Sequence, residues 1–292
     1  MTKVPSLREA GTQLRLAAVL VAVSVWSGAA MAASDITGTV TFEGKTPSLR
    51  PLSMDADPAC AKKHAKPVPN EMLALGASSV TGTVTFDGEA PALRPLDMTA
   101  EAVCHEKHGV KPAPNETLVL GPGNTMGNIL VWVSKGLPSG KTYPAPKTPV
   151  TMDQKGCQYV PHVMGIMVGQ QYKILNSDGV LHNVHTLPKV NPSFNKGMPA
   201  TMKETTTTFE KPEAVFHIKC DVHPWMSAYI AVFNHPFYSV TSTDGKFSIS
   251  GLDPGTYEIT AWHEKLGTRT ASVTVGANDK KTQDFKFAVP AK

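Results

Sequence analysis

The sequence predicts an all-β protein built from two β-sandwich domains, of which the second is the smaller. From residue 80 onward, short runs of β-branched and aromatic residues alternate with Gly, Pro and Asn residues. This pattern is typical of antiparallel sandwiches, whose short strands are joined by tight turns. No long amphipathic helical pattern follows residue 33, and the 292 residues of the chain are enough for two domains.

Residues 1–33 are predicted to be a secretory signal peptide. Three basic residues precede an apolar run at residues 16–26, and Ala-Met-Ala at residues 30–32 supplies small residues for cleavage. The apolar stretch is at the lower limit of what can span a bilayer. We therefore expect cleavage, a mature chain without a stable membrane span, and a periplasmic or secreted location.

The charge of the chain argues against a nucleic-acid partner. The formal net charge is +4, and Lys3, Arg8 and Arg15 against Glu9 contribute 3 − 1 = +2 of it. Cleavage after residue 33 therefore leaves 4 − 2 = +2. A charge this small does not create the extended basic field that attracts nucleic acid.

The next segment, residues 34–79, is predicted to be a partial duplication. Residues 36–44 match residues 80–88 almost position by position, and the match continues through Cys60 with Cys104. A segment of this size cannot bury a core of its own. We expect it either to pair at a sheet edge or to stay loosely ordered.

A first domain is predicted over residues 80–235, because strand patterns recur there between turns. A buried-strand pattern covers residues 128–133, and further strands are predicted at residues 150–152, 162–168, 172–175, 201–209, 214–220 and 228–233. In the strand that leads into Cys220, a period of two places Phe216 and Ile218 on the same face as Cys220. Cys220 should therefore point into the sandwich, and His217 away from it.

Directly after that strand, the chain carries Cys220, His223 and Met226 in the spacing Cys-x-x-His-x-x-Met. A thiolate, an imidazole and a thioether are soft ligands that select copper over magnesium or calcium. One more imidazole would complete a trigonal His2Cys site with a weak axial Met. Upstream, a strand and a polar turn at residues 172–181 lead to His182 and His185, which could supply it.

These two motifs together resemble the cupredoxins, most closely the amicyanin and plastocyanin type. The resemblance implies a Greek-key sandwich that holds one type 1 copper ion through His182, Cys220, His223 and Met226. It also implies a carrier of single electrons whose redox partner is another protein, such as a cytochrome or a dehydrogenase. In that family the Asn at the position of Asn183 fixes the Cys loop by hydrogen bonds, and the His at the position of His223 reaches an apolar surface as the electron port.

Two other histidines remain open as ligands. His185 lies three residues after His182, so on a strand the two side chains point to opposite faces and cannot easily bind one metal. The family position favours His182. His162 is a further candidate, although a hydrogen-bonded role near the end of the sandwich is the stronger interpretation for it.

Cysteine usage predicts one disulfide. If Cys220 binds copper, then Cys60, Cys104 and Cys157 remain, and two of them should pair in an oxidising compartment. Cys104 and Cys157 belong to the same predicted domain, which leaves Cys60 without a partner.

The second domain is predicted over residues 236–292. Asp-Gly-Lys-Phe at residues 244–247 and Pro-Gly-Thr-Tyr at residues 254–257 form turns that lead into strands. This turn pattern resembles the carboxypeptidase regulatory-like, transthyretin-like sandwich, a family module that is usually structural or an interaction surface.

Three classes of function remain for the whole chain. The first is an exported copper electron carrier, the second is a copper-binding delivery or storage protein, and the third is a structural or carbohydrate-binding sandwich with a vestigial metal site. The sequence contains no catalytic motif, so we do not expect an enzyme. The paired His-x-His motifs of a multicopper oxidase are also absent from the sequence.

Overall fold

A computed structural model describes residues 78–109 and 111–289 of the chain, together with the single residue Lys62. Nearly all regular structure in this part of the chain is β-strand, so the prediction of an all-β fold is confirmed. The duplicated segment and Cys60 lie outside the described residues, apart from Lys62, Ser78 and Ser79. No helix within the described ranges is long and apolar enough to cross a membrane.

Besides a single 3-10 turn at Pro122–Asn124, the first half of the described chain contains a short α-helix and nine strands. In chain order these elements are β1 (Ser78–Phe86), α1 (Ala102–His108), β2 (Val119–Leu120), β3 (Met126–Gly127), β4 (Leu130–Lys135), β5 (Val150–Gln154), β6 (Tyr159–Val160), β7 (Val163–Met167), β8 (Tyr172–Asn176) and β9 (His182–Thr186).

The rest of the described chain contributes ten further strands. They are β10 (Asn195–Met198), β11 (Glu204–Thr207), β12 (Glu213–Lys219), β13 (Ser227–Phe233), β14 (Tyr238–Val240), β15 (Lys246–Leu252), β16 (Gly255–His263), β17 (Gly267–Val275), β18 (Lys280–Thr282) and β19 (Phe285–Phe287).

The sandwich that carries the Cys-x-x-His-x-x-Met motif consists of a five-stranded sheet and a four-stranded sheet. The five-stranded sheet has the order β10-β9-β12-β13-β7, and the four-stranded sheet has the order β11-β8-β5-β6. One hydrophobic cluster fills the space between them and includes Tyr159, Ile174, Val184, Phe216 and Ile230. All the strands predicted between residues 150 and 233 are present, with ends that shift by a few residues.

Strand β12 shows how the sequence positions the copper motif. Phe216, Ile218 and Cys220 are buried, whereas His217 and Lys219 on the opposite face are only partly covered. The alternation arises because successive side chains of a strand point to opposite faces of a sheet. Burial of three apolar side chains on one face fixes the register, and the same register directs Cys220 inward.

The second sandwich takes strands from both ends of the described chain. Its sheets have the orders β15-β1-β18, with β19 also paired to β1, and β14-β4-β16-β17. Its hydrophobic cluster includes Val84, Val131, Phe247, Ile259 and Phe287. The family-like turn at Asp244-Gly245 is present, and Gly245 adopts the positive φ of 68° that such a turn requires.

This pairing differs from the domain organisation expected from the sequence. Residues 80–136 were assigned to the copper sandwich, but β1 and β4 pack in the second hydrophobic cluster instead. β1 pairs antiparallel with β15 and parallel with β18 and β19. Sequence periodicity identifies a strand but not its partner, and these partners are more than 150 residues away along the chain.

A third, smaller hydrophobic cluster joins the two sandwiches. It contains Leu130 from β4, Val163 from β7, and Ala231 and Phe233 from β13. Trp262, on β16, packs against this cluster and lies 5.2 Å from the ring of Tyr229 on β13. β7 and β13 are therefore covered on both faces, which explains why all five residues of β7 are buried.

Candidate metal centre

The candidate ligands lie where two neighbouring strands of the five-stranded sheet meet the loops at one end. His182 is the first residue of β9, and Cys220 directly follows β12. The two strands pair antiparallel through Ile218 with Thr186 and Lys219 with His185. This pairing brings the start of one strand beside the end of the other, so residues 38 positions apart in sequence become neighbours.

Three donor atoms converge at this point. One donor atom each from His182, Cys220 and His223 lies within 4.8 Å of the other two, and all three residues are buried. The Nδ1 atoms of His182 and His223 are 2.8 Å apart, and the sulfur of Cys220 is 3.8 Å from Nδ1 of His223. Two imidazoles and a thiolate form the donor set that binds copper in trigonal His2Cys sites.

The loop that carries three of the predicted ligands is closed by its own backbone. The amide of Met226 donates to the carbonyl of His223 (3.0 Å), and the amide of Cys220 donates to the carbonyl of Met226 (3.3 Å). The amide of His223 points at the sulfur of Cys220 at 3.4 Å. Met226 is 1% exposed and belongs to the same hydrophobic cluster as Cys220.

The electrostatics at Cys220 favour a thiolate. Burial raises the pKa of the Cys220 thiol, but hydrogen bonding to His182 and to the backbone amides of Asn183, His223 and Val222 outweighs it and lowers the pKa. The thiolate is the form of cysteine that binds metals. His223 is held neutral in the same site, since burial and the nearby His182 lower its pKa. A neutral imidazole is the form that binds a metal.

Asn183 connects the two ligand loops. Its side-chain oxygen accepts a hydrogen bond from the backbone amide of Asp221 at 2.6 Å and lies 3.2 Å from the sulfur of Cys220. Its amide nitrogen donates to Asn195 (2.8 Å) and to the carboxylate of Asp221 (3.1 Å). The hydroxyl of Tyr159 donates to the carbonyl of Asn183. These bonds fix the start of β9 against the cysteine loop.

Asp178 holds the outer nitrogen of His182. Its carboxylate lies 2.9 Å from Nε2 of His182 and accepts the backbone amides of Gly156 and Cys157 at 2.7 Å each. Lys107 adds an ion pair at 3.3 Å. Burial raises the pKa of Asp178, but these hydrogen bonds outweigh it and lower the pKa to about 2. A carboxylate on the outer nitrogen fixes the ring and leaves Nδ1 directed at the other donors.

Asp178 was not among the predicted site residues, although it lies in the polar turn before His182. The signal was present as an Asp four residues before the histidine, in Asn-Ser-Asp-Gly at residues 176–179. Asp residues are common in turns for local reasons, so composition alone does not separate a turn former from a partner of a ligand.

A disulfide between Cys104 and Cys157 lies against the donor cluster. The sulfur of Cys104 is 3.9 Å from Nε2 of His223, and the indole nitrogen of Trp225 donates to the carbonyl of Cys157 at 3.0 Å. Helix α1 brings Cys104 to this position and is the element that covers His223. Cys220 is the free cysteine among the described residues.

The burial of His223 beneath α1 contradicts one expectation taken from the cupredoxin resemblance. His223 was expected to reach an apolar surface as an electron port, but only 3% of the residue is exposed. Trp225 packs on His223 with ring centres 5.1 Å apart and is itself partly buried. The expectation failed because α1 lies in a segment whose packing partner could not be deduced from the copper motif.

The other candidate histidines lie outside the donor cluster. His185 faces the opposite side of β9, where it is partly exposed and pairs with Asp221 at 3.0 Å. His162 binds the carbonyl of Ser227 through Nδ1 (2.9 Å) and the carboxylate of Glu264 through Nε2 (2.7 Å). His217, on the outer face of β12, contacts the hydroxyl of Ser227 at 2.8 Å.

The fold and the site together define an all-β protein of two sandwiches with a buried cluster of two histidines and one cysteine. Residues 223–288 match the family described as the carboxypeptidase regulatory-like domain. The family resemblance inferred from the turns is therefore confirmed, and the match begins 13 residues before the expected boundary at residue 236. No curated protein matches the sequence.

Similar solved structures include copper proteins. A copper-containing nitrite reductase from Thermus scotoductus SA-01 is 23% identical, with a TM-score of 0.28 over 35% of this chain and 26% of the enzyme. This chain therefore spans about a quarter of the length of that enzyme. An amicyanin variant in its Cu(I) form is 20% identical, with a TM-score of 0.27 over 34% of this chain and all of amicyanin. A purple cupredoxin from Nitrosopumilus maritimus is 23% identical, with a TM-score of 0.25 over 28% of this chain and 98% of its own.

Proposed function

We propose that this chain is an exported type 1 copper protein that carries single electrons between redox partners. One observation supports the proposal above the others. His182, Cys220 and His223 bring two imidazole nitrogens and one sulfur within 4.8 Å of one another, and all three residues are buried. An unpaired buried thiol between two imidazoles has no evident structural purpose, whereas the same donors suit copper.

Copper, when bound, supplies the one-electron couple between Cu(I) and Cu(II). His182, Cys220 and His223 would hold the copper, and Met226 would supply its thioether as a fourth ligand. The hydrogen bonds of Asn183 and the closed loop at residues 220–226 hold these donors on a rigid sandwich. Donors that stay in place favour electron transfer, because little rearrangement accompanies the change of charge.

The same proposal covers location and partners. The predicted signal at residues 1–33 directs the chain to the periplasm or outside the cell. The partner would be another redox protein, such as a cytochrome or a dehydrogenase, and neither nucleic acid nor a membrane is required. The chain itself would carry electrons rather than catalyse a reaction.

The proposal is tested by loading the mature protein with Cu(II) and recording its visible and EPR spectra. We expect one copper per chain and a strong visible band from charge transfer between the Cys220 thiolate and Cu(II). Cys220→Ser should abolish this band while the fold persists, and Cys60→Ser should keep it. A coloured Cys220→Ser protein, or a wild-type protein that takes up no copper, would contradict the proposal.

The burial of His223 favours a second candidate, namely copper storage or delivery with the same ligands. A residue that is 3% exposed beneath α1 offers a partner little direct access to its ring. The two candidates differ in the rate of electron exchange. Rapid oxidation of the Cu(I) form by a small cytochrome would favour the electron carrier, whereas transfer of the metal itself to a Cu(I) chelator without such oxidation would favour storage or delivery.

A further inference from the structure

A second group of donors lies on the other side of His182. One donor atom each from Cys157, Asp178 and His182 lies within 4.8 Å of the other two, and all three residues are buried. Asp178 approaches Nε2 of His182, whereas His223 approaches Nδ1. The imidazole of His182 therefore presents a different nitrogen to each group. A neutral imidazole has one unprotonated nitrogen, so the ring serves one group at a time unless it gives up its remaining proton.

The disulfide prevents this second group from binding a metal. It also contains a fourth potential donor, the sulfur of Cys104. Cys157 is bonded to Cys104, so its sulfur cannot bind a metal while the bond is intact. Cleavage of the bond would free the sulfur of Cys157 beside Asp178 and His182, and with it the sulfur of Cys104, which lies next to Cys157 and 3.9 Å from Nε2 of His223. Two thiolates, one carboxylate and one imidazole form a four-ligand set of the kinds that bind zinc tetrahedrally.

We propose that reduction of the Cys104–Cys157 disulfide creates a second metal site in this chain. Its ligands are the sulfurs of Cys104 and Cys157, the carboxylate of Asp178 and Nε2 of His182. The site takes a thiophilic divalent cation such as Zn²⁺, because thiolate and imidazole ligands select such ions over magnesium or calcium. With the disulfide closed, the same sulfurs serve only to hold α1 over the copper donors.

The chemistry of this conversion balances with one reductant, a dithiol. The dithiol loses two electrons and two protons and becomes a disulfide, while the Cys104–Cys157 bond breaks and yields two thiols. Metal binding then releases both thiol protons to solvent, while the neutral ring of His182 carries its one proton on Nδ1 and binds through Nε2. The two thiolates and the Asp178 carboxylate carry three negative charges, which the cation and the adjacent Lys107, 3.3 Å from Asp178, largely offset.

The position of α1 allows such a change. The helix has only seven residues, and Cys104 is its only buried residue. Its other described attachments to this corner are the Lys107 ion pair and a hydrogen bond between His108 and the carbonyl of Gly156 at 2.7 Å. A short surface helix with few buried contacts belongs to the part of a protein that opens most readily.

The experiment uses the full chain with Cys60→Ser and Cys220→Ser, so that the disulfide is the only remaining source of thiols. Cys220→Ser also removes the thiolate of the proposed copper site, which makes the outcome independent of copper binding. Cd²⁺ is titrated into the oxidised protein and into protein that has been reduced with a dithiol and then separated from it, and absorption from thiolate-to-Cd²⁺ charge transfer is recorded. We expect this absorption only after reduction, with one Cd²⁺ bound per chain.

Matched carboxylate variants then test the ligand assignment. Loss of a residue that only hydrogen-bonds a metal ligand weakens metal binding by about 10–100-fold. Asp178→Asn removes a proposed ligand and should weaken Cd²⁺ binding by at least that factor. Asp153→Asn is the control, because Asp153 lies on the neighbouring β5 and its carboxylate accepts the hydroxyl of Ser177 instead. If Asp178→Asn fails to fold, the ¹¹³Cd NMR shift of the parent protein reports whether two sulfurs are bound.

Three results would overturn the proposal. The first is a reduced protein that keeps its far-UV circular dichroism but shows no thiolate-to-Cd²⁺ absorption. The second is equal Cd²⁺ affinity in the Asp178→Asn and Asp153→Asn proteins. The third is loss of the fold on reduction, because the proposed site requires Asp178 and His182 to stay in place.

Discussion

At the scale of single residues, the donor cluster depends on which face of a strand each side chain occupies. His182 and His185 lie three positions apart on β9, so the first is buried among the donors and the second is partly exposed beside Asp221. Asp178 fixes the ring of His182 from outside, and Asn183 fixes the loop of Cys220. His182 and the loop of Cys220 are therefore each held by a polar side chain from outside the donor cluster.

The two histidines of β9 should respond differently to substitution. His182→Ala removes a nitrogen donor and should destroy the visible spectrum of the Cu(II) protein. His185→Ala removes only a contact with Asp221 on the outer face, and should leave the spectrum largely unchanged. Visible and EPR spectra of the two variants at equal Cu(II) loading test this, and the opposite pattern would assign the ligand to His185.

The sequence was sufficient to propose these donors because their signal is local. Cys220, His223 and Met226 follow one another within seven residues, and the alternation of Phe216 and Ile218 places Cys220 on the buried face. Nothing local connects the donors to Cys104, which is 116 residues before Cys220. The cover over His223 could therefore not be deduced, and an exposed electron port was wrongly expected.

At the scale of elements, helix α1 and its disulfide connect an early segment to the metal loops. The cross-linked cysteines are 53 positions apart. By the chain-entropy model, a loop of this length stabilises the folded state by about 4 kcal/mol, before any strain is subtracted.

Replacement of both cysteines by Ala should therefore lower the free energy of unfolding by up to about 4 kcal/mol while the sandwich still folds. Urea denaturation of the apo protein measures this, with Cys60→Ser as the control that removes a thiol outside this bond. An unchanged unfolding free energy, or the same loss in Cys60→Ser, would show that the Cys104–Cys157 bond does not stabilise the chain. Peptide mapping of the unreduced protein would detect a bridge from Cys60 to Cys157 instead.

Strand β1 is the element whose partners were predicted least well. The duplicated sequence suggested an early strand of the copper sandwich, but β1 lies in the second sandwich between β15 and the pair β18 and β19. The alternating Thr and Val residues correctly indicated a strand. Its pairing depends on contacts with the far end of the chain, for which a single sequence carries no local signal.

Two nested deletions separate the duplicate from this strand. Deletion of residues 34–77 should leave copper binding and the cooperative thermal melt nearly unchanged, because it ends before β1. Deletion of residues 34–86 also removes β1 and exposes the partners of Val84 and Phe86, so it should unfold the second sandwich. Circular dichroism melts of the two variants test this. Loss of the melt in the shorter deletion would mean that the first copy supplies a necessary strand.

At the scale of the whole molecule, the two sandwiches are joined by apolar packing and by one buried ion pair. His162, which precedes β7, meets Glu264, which follows β16, at 2.7 Å, and both side chains are under 10% exposed. Tyr229 also donates to Glu264 at 3.1 Å, and Glu116 lies 3.9 Å from His162. The Nζ atom of Lys265 lies 3.7 Å from Oε2 of Glu264.

This pair should make stability depend on pH. Burial lowers the pKa of His162, but the interaction with Glu264 outweighs burial and raises the pKa above 6.5. The stabilisation from His162 is therefore present below pH 6.5 and is lost as pH rises through the raised pKa. Burial raises the pKa of Glu264, but the interaction with His162 outweighs burial and lowers the pKa below 4.5. The stabilisation from Glu264 is therefore present above pH 4.5 and is lost as pH falls through the lowered pKa. The pair therefore contributes most between about pH 4.5 and 6.5.

Glu264→Gln should lower the free energy of unfolding by roughly 1.5–3 kcal/mol within that window, the usual worth of a hydrogen bond to a charged group. The loss should be smaller at pH 9, because the stabilisation from His162 is lost as pH rises through its raised pKa. Urea denaturation at pH 5.5 and pH 9 measures both values. Glu258→Gln is the control, because it changes a partly exposed carboxylate on β16 that pairs with Lys135 and not with a histidine. An equal loss at the two pH values would mean that the contact does not act as an ion pair.

The central claim is that Cys220, His182 and His223 hold one copper ion. X-ray absorption at the copper edge of the singly loaded wild-type protein tests it most directly, because the method counts sulfur and nitrogen neighbours of the metal. We expect one sulfur and two imidazole nitrogens at short distance, with the sulfur absent in Cys220→Ser. A copper ion surrounded by nitrogen and oxygen alone in the wild-type protein would contradict the account.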